Sequence, residues 1–275
     1  MADRDTITNV KNYNVTPYYD DFDETKNYHR ILFKPGFAVQ ARELTQLQTS
    51  LQNQIDKVGQ AFYGDGDRVL GGKGTLLAGN KFEYIKLNPQ HSGTNIASYV
   101  SEFAGTKITG ANNSVVAEVL KVVAAEGSDP DTLYVKYLDS GDNKTTKRFV
   151  DGEVIQSNAG TPRSATIGGA SSVGKGSAFN IEEGIYYISG SFVHVPKETI
   201  VLDKYTNTPT YIIGLQVTES TRSSTDTGFS DLVDNAQGSP NESAPGADRY
   251  VIDTQLIKES DITLASRTVN QYIHL

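Results

Sequence analysis

The sequence predicts a mainly β protein with one long helix near its N-terminus, in which a mixed or antiparallel β domain carries an inserted small β-barrel. Three observations predict this fold class. One stretch of apolar residues at helical spacing lies before residue 65. Short runs rich in β-branched and aromatic residues, separated by glycine, asparagine and proline turns, fill most of the remaining chain. A stretch rich in glycine, serine and alanine divides these runs into two series.

The helix is predicted from about Ala38 to Tyr63, between a turn at Pro35-Gly36 and a stop at Gly64. Six apolar residues recur inside it at steps of three and four, which places them on one helical face. This apolar stripe consists of Leu44, Leu47, Leu51, Ile55, Val58 and Phe62.

Two interpretations of the apolar stripe stay open. It packs on a sheet of the same chain, or it forms a short coiled-coil seam between copies of the chain. The seam is favoured by four uncharged glutamines that flank the stripe and can hydrogen-bond to identical copies, Gln46, Gln48, Gln52 and Gln54. Gly59 argues against a free-standing coil, because glycine inside a helix costs about 1 kcal/mol relative to alanine.

The predicted elements divide the chain into five segments. After the helix, five short strands with tight polar turns predict a small closed or half-open barrel. These strands are predicted around residues 107–109, 115–123, 132–138, 148–150 and 153–155. A Gly/Ser-rich linker leads from the barrel to a second strand series that contains a long polar loop. The segments are the extended arm 1–36, the helix and first strands 37–101, the barrel 102–157, the linker 158–176 and the second series 177–275 with its loop 219–248.

The composition argues against several classes of function. The 275 residues include no cysteine, which excludes disulfides and thiolate metal sites. A net charge of −8 and a pI near 5.1 argue against a nucleic-acid surface, because phosphate binding needs clustered cations. The N-terminus lacks the pattern of a secretory signal, and no window approaches the roughly 20 apolar residues of a membrane span. We therefore expect neither a nucleic-acid partner nor membrane insertion.

No motif predicts catalysis. The stretch from Gly169 to Ser177 resembles a phosphate loop, but it has glycine where the metal-binding hydroxyl belongs and lacks a preceding buried strand, so we interpret it as linker. The four histidines lie far apart in the sequence. Asp65 and Asp67 lack a complete calcium loop and are interpreted as a polar turn. The sequence thus predicts no enzyme, no cofactor and no metal site.

A resemblance to a known family is carried by segments spread over most of the chain. They are Asn14–Asp23, Tyr28–Gly36, Gln40–Gln48, Gly184–Tyr187, Gly190–Val193, Tyr205–Pro209, Asp234–Asn241 and Ala244–Arg249. These segments resemble an uncharacterised family of domains at the N-terminal ends of tailed-bacteriophage virion proteins, usually baseplate or tail-fibre components.

The resemblance implies a structural protein of the phage tail, made in the host cytoplasm, that acts as an attachment or assembly domain. Its partners would be other tail or baseplate proteins and further copies of itself, with a trimer favoured because phage fibres are commonly trimeric. Family members are commonly longer, so the protein is expected to extend beyond residue 275. The alternative is an adhesin, in which the barrel or the loop 219–248 binds glycan on the host surface.

The predicted subunit interface combines the apolar stripe with aromatic residues of the arm, Tyr18, Tyr19 and Phe22. Aromatic side chains suit an interface because they bury much area with few rotatable bonds. The arm has neither a helical nor a strand period of its own. It is therefore expected to be mobile in the free chain and to become ordered on a partner.

Overall fold

The computed structural model describes residues 11, 13–169, 171–228, 232–259 and 272–275. It is mainly β, with a single α-helix near the N-terminus among these residues and a curled half-barrel sheet, which confirms the predicted fold class. The helix, α1, runs from Ala41 to Phe62 and is 22 residues long. It is shorter than predicted at its N-terminal end. Tyr63 closes it in an extended conformation, with its N–H bonded to the Gly59 carbonyl.

The strands follow α1 along the chain. They are β1 Arg68–Gly71, β2 Gly74–Leu77, β3 Glu83–Lys86, β4 Gln90–His91, β5 Thr94–Asn95, β6 Lys107–Gly110, β7 Val116–Val123, β8 Thr132–Asp139, β9 Val154–Ser157, β10 Ser164–Thr166, β11 Val173–Lys175, β12 Ser177–Ile181, β13 Gly184–Ile188, β14 Ser191–Val195, β15 Glu198–Asp203, β16 Ile212–Arg222, β17 Arg249–Glu259 and β18 Tyr272–His274. In the described ranges, short 3-10 turns are present at Glu24–Lys26, before α1, and at Gly79–Lys81, Ile96–Ser98 and Val100–Phe103.

The chain divides into two compact units. The first comprises Met1–Lys73, Glu182–Lys197 and Val217–Thr254, and it contains α1 and the antiparallel sheet β1-β13-β14. The second comprises Gly74–Ile181, Glu198–Gln216 and Gln255–Leu275. It contains a seven-stranded sheet of order β10-β9-β6-β7-β8-β3-β11 and a three-stranded sheet β15-β12-β2. A further sheet has the order β17-β16-β18, and β4 pairs with β5.

The half-barrel of the second unit replaces the separate barrel predicted for residues 102–157. Four of the five predicted strands are present as β6 to β9, but their sheet continues into β3, β10 and β11 from outside that range. Two register shifts between β7 and β8 bend this sheet. The apolar core inside it is completed by Ile85 and Leu87 on one side of the range and by Ile167 on the other.

The predicted strand 148–150 is a loop that fills the core. Phe149 is buried, and its N–H donates to the Tyr137 hydroxyl at 3.2 Å. The Val150 N–H donates to the Glu153 carboxylate at 3.1 Å, so side chains take the place of a neighbouring strand. Arg148 forms an ion pair of 2.7 Å with the buried carboxylate of Glu83.

The predicted Gly/Ser linker contains two strands of the half-barrel. β10 pairs with β9, and β11 pairs with β3. In β11, Gly174 lies against the Tyr84 ring, and a Cβ added there would be only 2.6 Å from the tyrosine hydroxyl oxygen. Glycine therefore permits close packing here, whereas the sequence pattern suggested flexibility.

The long polar loop differs from its predicted length. The strands β16 and β17 extend to Arg222 and from Arg249, so the loop is shorter than the predicted 219–248. The hairpin between β13 and β14 turns through two residues, Ser189 and Gly190, both with positive φ as a tight hairpin turn requires. Residues 260–271 of the predicted second series lie outside the described residues.

Deleting residues 102–157 and joining the flanks with glycines is expected to unfold the second unit. The deletion removes four of seven strands and exposes Ile85, Leu87 and Ile167. Losing this much core exceeds the roughly 5–15 kcal/mol by which a domain is stable. Calorimetry should show no cooperative transition for this unit. A soluble deletion variant that melts cooperatively would instead establish residues 102–157 as a separable module.

Candidate assembly surface

The helix α1 buries a polar face within the first unit. Its buried residues are Asn53, Asp56 and Gly59. At about 100° per residue these positions lie roughly opposite the apolar stripe. The intramolecular contacts of α1 therefore reverse the usual arrangement, in which the apolar face of a helix covers the core.

Asp56 is the centre of this buried polar face. Its side chain is fully buried and accepts a hydrogen bond of 2.5 Å from the Tyr187 hydroxyl of β13. Gln60, one turn later, donates to the same carboxylate at 2.9 and 3.0 Å. Hydrogen bonds to an ionised acceptor are among the stronger ones in proteins, so these contacts fix both the rotation and the position of α1 on the hairpin.

Gly59 allows the helix to approach this hairpin closely. A Cβ added at Gly59 would lie 2.3 Å from a ring carbon of Tyr187. The glycine that argued against a free coil thus has a packing role. The turn glycine Gly190 is similarly close, since a Cβ there would be 2.8 Å from a carboxylate oxygen of Asp56.

Gly59→Ala is expected to lower the free energy of unfolding by about 1–3 kcal/mol, because overpacking at Tyr187 outweighs a gain in helix propensity of about 1 kcal/mol. Urea denaturation measures the change. Gln54→Ala, on the exposed side of α1, is the control and should have little effect. A more stable Gly59→Ala variant would mean that Tyr187 moves aside at no cost.

The arm packs along the polar side of α1. Asp20 is buried and accepts a 2.5 Å hydrogen bond from the Thr49 hydroxyl. The Asp21 carboxylate pairs with Arg42 at 3.0 Å. Glu24 accepts hydrogen bonds from Asn53 and Lys57 at 2.9 and 2.6 Å. These contacts argue against the expectation that the arm is mobile in the free chain, because its acidic residues match hydrogen-bond donors at regular intervals on the helix.

The three predicted interface residues of the arm differ in their surroundings. The Tyr18 hydroxyl donates to Asp248 at 2.5 Å, and this hydrogen bond raises the pKa of Tyr18 to about 12. Tyr19 is 57% exposed, and its hydroxyl lies 2.6 Å from that of Thr16. Phe22 is partly buried and lines a groove beside α1. Tyr18 thus contributes to the fold of the first unit, while Tyr19 remains accessible.

Acidification is expected to weaken the contact between arm and helix. Hydrogen bonds from Lys57 and Asn53 lower the pKa of Glu24 below its ordinary value of 4.5. Because the folded pKa is the lower one, ionised Glu24 stabilises the fold above the unfolded pKa, and this contribution is lost as the pH falls through the folded pKa.

Melting temperatures measured between about pH 7 and pH 3 test this expectation through Glu24→Gln. The wild type should exceed the variant at neutral pH, and the two curves should converge in acid. Glu182→Gln changes an exposed carboxylate of the same unit. Its melting temperature should differ from that of the wild type by the same amount at every pH. A constant difference between wild type and Glu24→Gln across the range would contradict the assignment.

The apolar stripe itself is exposed. Its six side chains, from Leu44 to Phe62, have 40–77% of their surface accessible. The first interpretation, that the stripe packs on a sheet of the same chain, is therefore wrong for the part of the chain that the structure describes. Further exposed apolar residues precede the helix, namely Leu32 and Phe33 in the arm and Phe37 and Val39 after it.

A groove of about 560 Å³ lies between the arm and the stripe. Phe22 and Ile31 of the arm line one side, and Leu47 and Leu51 of α1 line the other. Charged residues, among them Arg30 and Arg42, surround the apolar floor. An apolar floor with a charged rim is the usual composition of a protein interface.

A second pocket, of about 530 Å³, lies on the other side of α1 within the same unit. Tyr13, Tyr18 and Tyr250 form part of its wall, with ring centres 5.4 and 5.8 Å apart in edge-to-face contacts. Gln48 and Gln52 also line it, and among the described residues neither carboxamide has a hydrogen-bond partner. The pocket therefore presents aromatic faces together with free amide donors and acceptors.

The remaining candidates from the sequence have structural roles. Asp65 accepts from the Ser189 N–H at 2.8 Å, and Asp67 accepts from the Gly64 N–H at 2.7 Å. Across the described ranges, no group of three or more histidine, aspartate or glutamate side chains is placed to hold a metal ion. In the same ranges no helix combines the length and apolar character needed to cross a membrane.

Comparison with known families gives one match. A family model described as a domain of unknown function, DUF4815, matches residues 16–89. This span contains most of the arm, α1 and the strands up to β3. No curated protein and no solved structure matches the chain. The match therefore includes the whole apolar stripe and the acidic arm residues that hold α1, without assigning them an activity.

Proposed function

We propose that this protein is a structural component of a bacteriophage tail, in which it serves as the attachment or assembly domain of a baseplate or tail-fibre protein. One observation carries the proposal: α1 is held to its own unit through its polar face and leaves its apolar face uncovered. A surface of this kind suits a protein whose task is to be assembled. The resemblance of the sequence to phage tail proteins supports the location.

The uncovered stripe can supply binding energy. Full burial of one such side chain contributes about 1.5–3 kcal/mol, so covering six half-exposed side chains contributes roughly half of that for each. Additional exposed apolar residues precede α1, including Phe37 and Val39. Together they extend the docking surface beyond the helix. In this proposal the partners are neighbouring tail proteins and further copies of the chain, as a trimer.

Incorporation into tails tests the proposal. Leu47→Asp with Leu51→Asp should give a folded chain that is missing from assembled particles. The matched control carries the same change at two exposed leucines of the second unit, Leu76→Asp with Leu138→Asp. A map of the intact virion should place the apolar stripe against the tail axis or a neighbouring tail protein. Normal incorporation of the Leu47/Leu51 variant, or a map with the stripe facing solvent, would refute the proposal.

A second candidate function, host-surface adhesion, is favoured by the pocket lined with tyrosines. Its volume suits a small ligand, since binding pockets commonly measure about 300–1,000 Å³. Aromatic walls with free carboxamides match the apolar faces and hydroxyl groups of a neutral saccharide. This site differs from the one proposed in the sequence analysis, because α1 and the arm contribute half of its lining and the predicted loop 219–248 contributes only Thr221, Ala247 and Asp248.

Saturation-transfer NMR with maltose, cellobiose and lactose tests this candidate. Adhesion would be supported if saturation is transferred from the wild-type protein to the ring protons of a sugar and if this signal is lost in Gln52→Ala. Gln54→Ala, which alters the same residue type outside the pocket, is the control. A map that places this unit at the distal tip of the virion would favour adhesion over attachment. Equal signals in both variants, or none in the wild type, would remove the saccharide assignment.

A further inference from the structure

We infer that the partner covering the apolar stripe is α1 of further copies of this chain, packed parallel and in register in a bundle that is almost straight. The inference rests on the proposed function and names the partner at that surface. It concerns the direction and the register of the helices. The coiled-coil seam considered in the sequence analysis settles neither of them.

The spacing of the stripe predicts a straight bundle. The steps along it are three, four, four, three and four, so that Leu44, Leu47 and Leu51 recur eleven residues later as Ile55, Val58 and Phe62. A heptad repeat would wind the helices into a left-handed supercoil. An eleven-residue repeat corresponds to about 3.67 residues per turn, which gives a straight or slightly right-handed bundle. The apolar stripe therefore stays on one face along α1 without the left-handed supercoil that a heptad repeat requires.

The charges of α1 point to an identical partner. Arg42 pairs with Asp21, and Lys57 pairs with Glu24, both within the chain. Glu43 accepts the N–H of Gln40 at the start of the helix. The positions beside the stripe are otherwise uncharged, including Gln48, Ser50, Gln54 and Ala61. Apart from the charged rim of the groove beside the arm, a highly charged partner would find no complementary charge along the stripe, whereas a second copy meets an equally apolar and uncharged helix face.

The parallel direction follows from the pairing of the stripe residues. An antiparallel partner would match some of them, pairing Leu44 with Phe62 and Leu51 with Ile55. The same arrangement would place Leu47 opposite Gly59 and Val58 opposite Gln48, so these two side chains would lack apolar partners. In a parallel bundle in register, each of the six apolar side chains meets the same residue of the next copy. Because this buries more apolar surface, the parallel register is favoured.

Disulfide trapping tests the direction, and the absence of cysteine makes each introduced thiol unique. In a parallel bundle, oxidation should crosslink Leu44→Cys chains to one another, and likewise Phe62→Cys chains. In an antiparallel bundle, two copies of residue 44 would be about 27 Å apart, far beyond the roughly 7 Å limit between Cα atoms of a disulfide. Only a mixture of the two variants would then crosslink. Leu138→Cys measures random collision and should stay largely uncrosslinked.

A second pair of variants tests the register. The eleven-residue repeat places Leu47 at the seam, whereas a heptad register through Leu44, Leu51 and Ile55 would place Gln48 there instead. We expect Leu47→Cys to crosslink several-fold faster than Gln48→Cys. The reverse order would overturn the straight bundle, and crosslinking confined to the mixture of Leu44→Cys and Phe62→Cys chains would overturn the parallel direction.

Absence of crosslinking at every stripe position, with a monomer by light scattering, would overturn the identity of the partner. The proposed function is judged separately by incorporation of the Leu47/Leu51 variant into tails. If that variant is excluded from tails while the wild type is monomeric, a different tail protein covers the stripe. Failure of the helix bundle and failure of the proposed tail function therefore give different experimental results.

Discussion

Replacing both Leu47 and Leu51 with aspartate is expected to convert the oligomer of the free protein into a monomer. Each copy would bring two carboxylates into a seam that is otherwise apolar, and burying an unpaired charge costs several kcal/mol. Since about 1.4 kcal/mol changes an equilibrium constant tenfold, the dissociation constant should rise by two or more orders of magnitude. Multi-angle light scattering over a concentration series measures the change.

The fold should survive this change, because the stripe is exposed and α1 is held by Asn53 and Asp56 on its other face. Far-UV circular dichroism and the melting transition of a dilute sample should therefore match those of the dilute wild type. The Leu76→Asp, Leu138→Asp variant carries the same added charge and should keep the oligomer. A wild type that is monomeric at high concentration would contradict self-association, and an unfolded Leu47/Leu51 variant would place the stripe in the core.

Asp56→Ala is expected to destabilise the first unit by about 2–4 kcal/mol. The Tyr187 hydroxyl and the Gln60 amide both lose their carboxylate acceptor, and hydrogen bonds to charged groups contribute about 1.5–3 kcal/mol each before compensation. Chemical denaturation followed by tyrosine fluorescence measures the loss.

Tyr187→Phe and the double variant complete a thermodynamic cycle for this contact. The two changes together should cost at least 1 kcal/mol less than the sum of the single changes, because both remove one shared interaction. Additive costs would show that Asp56 and Tyr187 contribute independently. Oligomeric state should be unchanged in every folded variant, since these residues lie on the buried face.

Local sequence patterns predicted the elements of this protein well. The apolar period identified α1 to within a few residues, and β-branched runs located most strands, because both depend on neighbours in sequence. Which strands pair with each other could not be predicted in the same way. β3 and β11 join the half-barrel from positions far apart in the chain, and glycine at 174 serves packing against Tyr84. Composition alone cannot distinguish such a glycine from a flexible one.

The candidate surface was predictable in part. The apolar stripe was evident from spacing, but spacing could not show that it is uncovered. The informative signal was on the opposite face, where Asn53, Asp56 and Gly59 occur at steps of three. The acidic residues Asp20, Asp21 and Glu24 match donors on that face, and their role in holding the arm depends on this pairing between two segments.

The separation of the two faces of α1 has an evolutionary consequence. Most helices must satisfy folding and binding with the same apolar residues, so a change of partner disturbs stability. Here the residues that hold the helix in its subunit and those that remain for a partner are different. The stripe can therefore vary in size, spacing or charge to suit a changed neighbour, while the aspartate, asparagine and glycine beneath it keep the subunit intact. Divergent sequences of this kind should retain Asp56 and Gly59 more strictly than any leucine of the stripe.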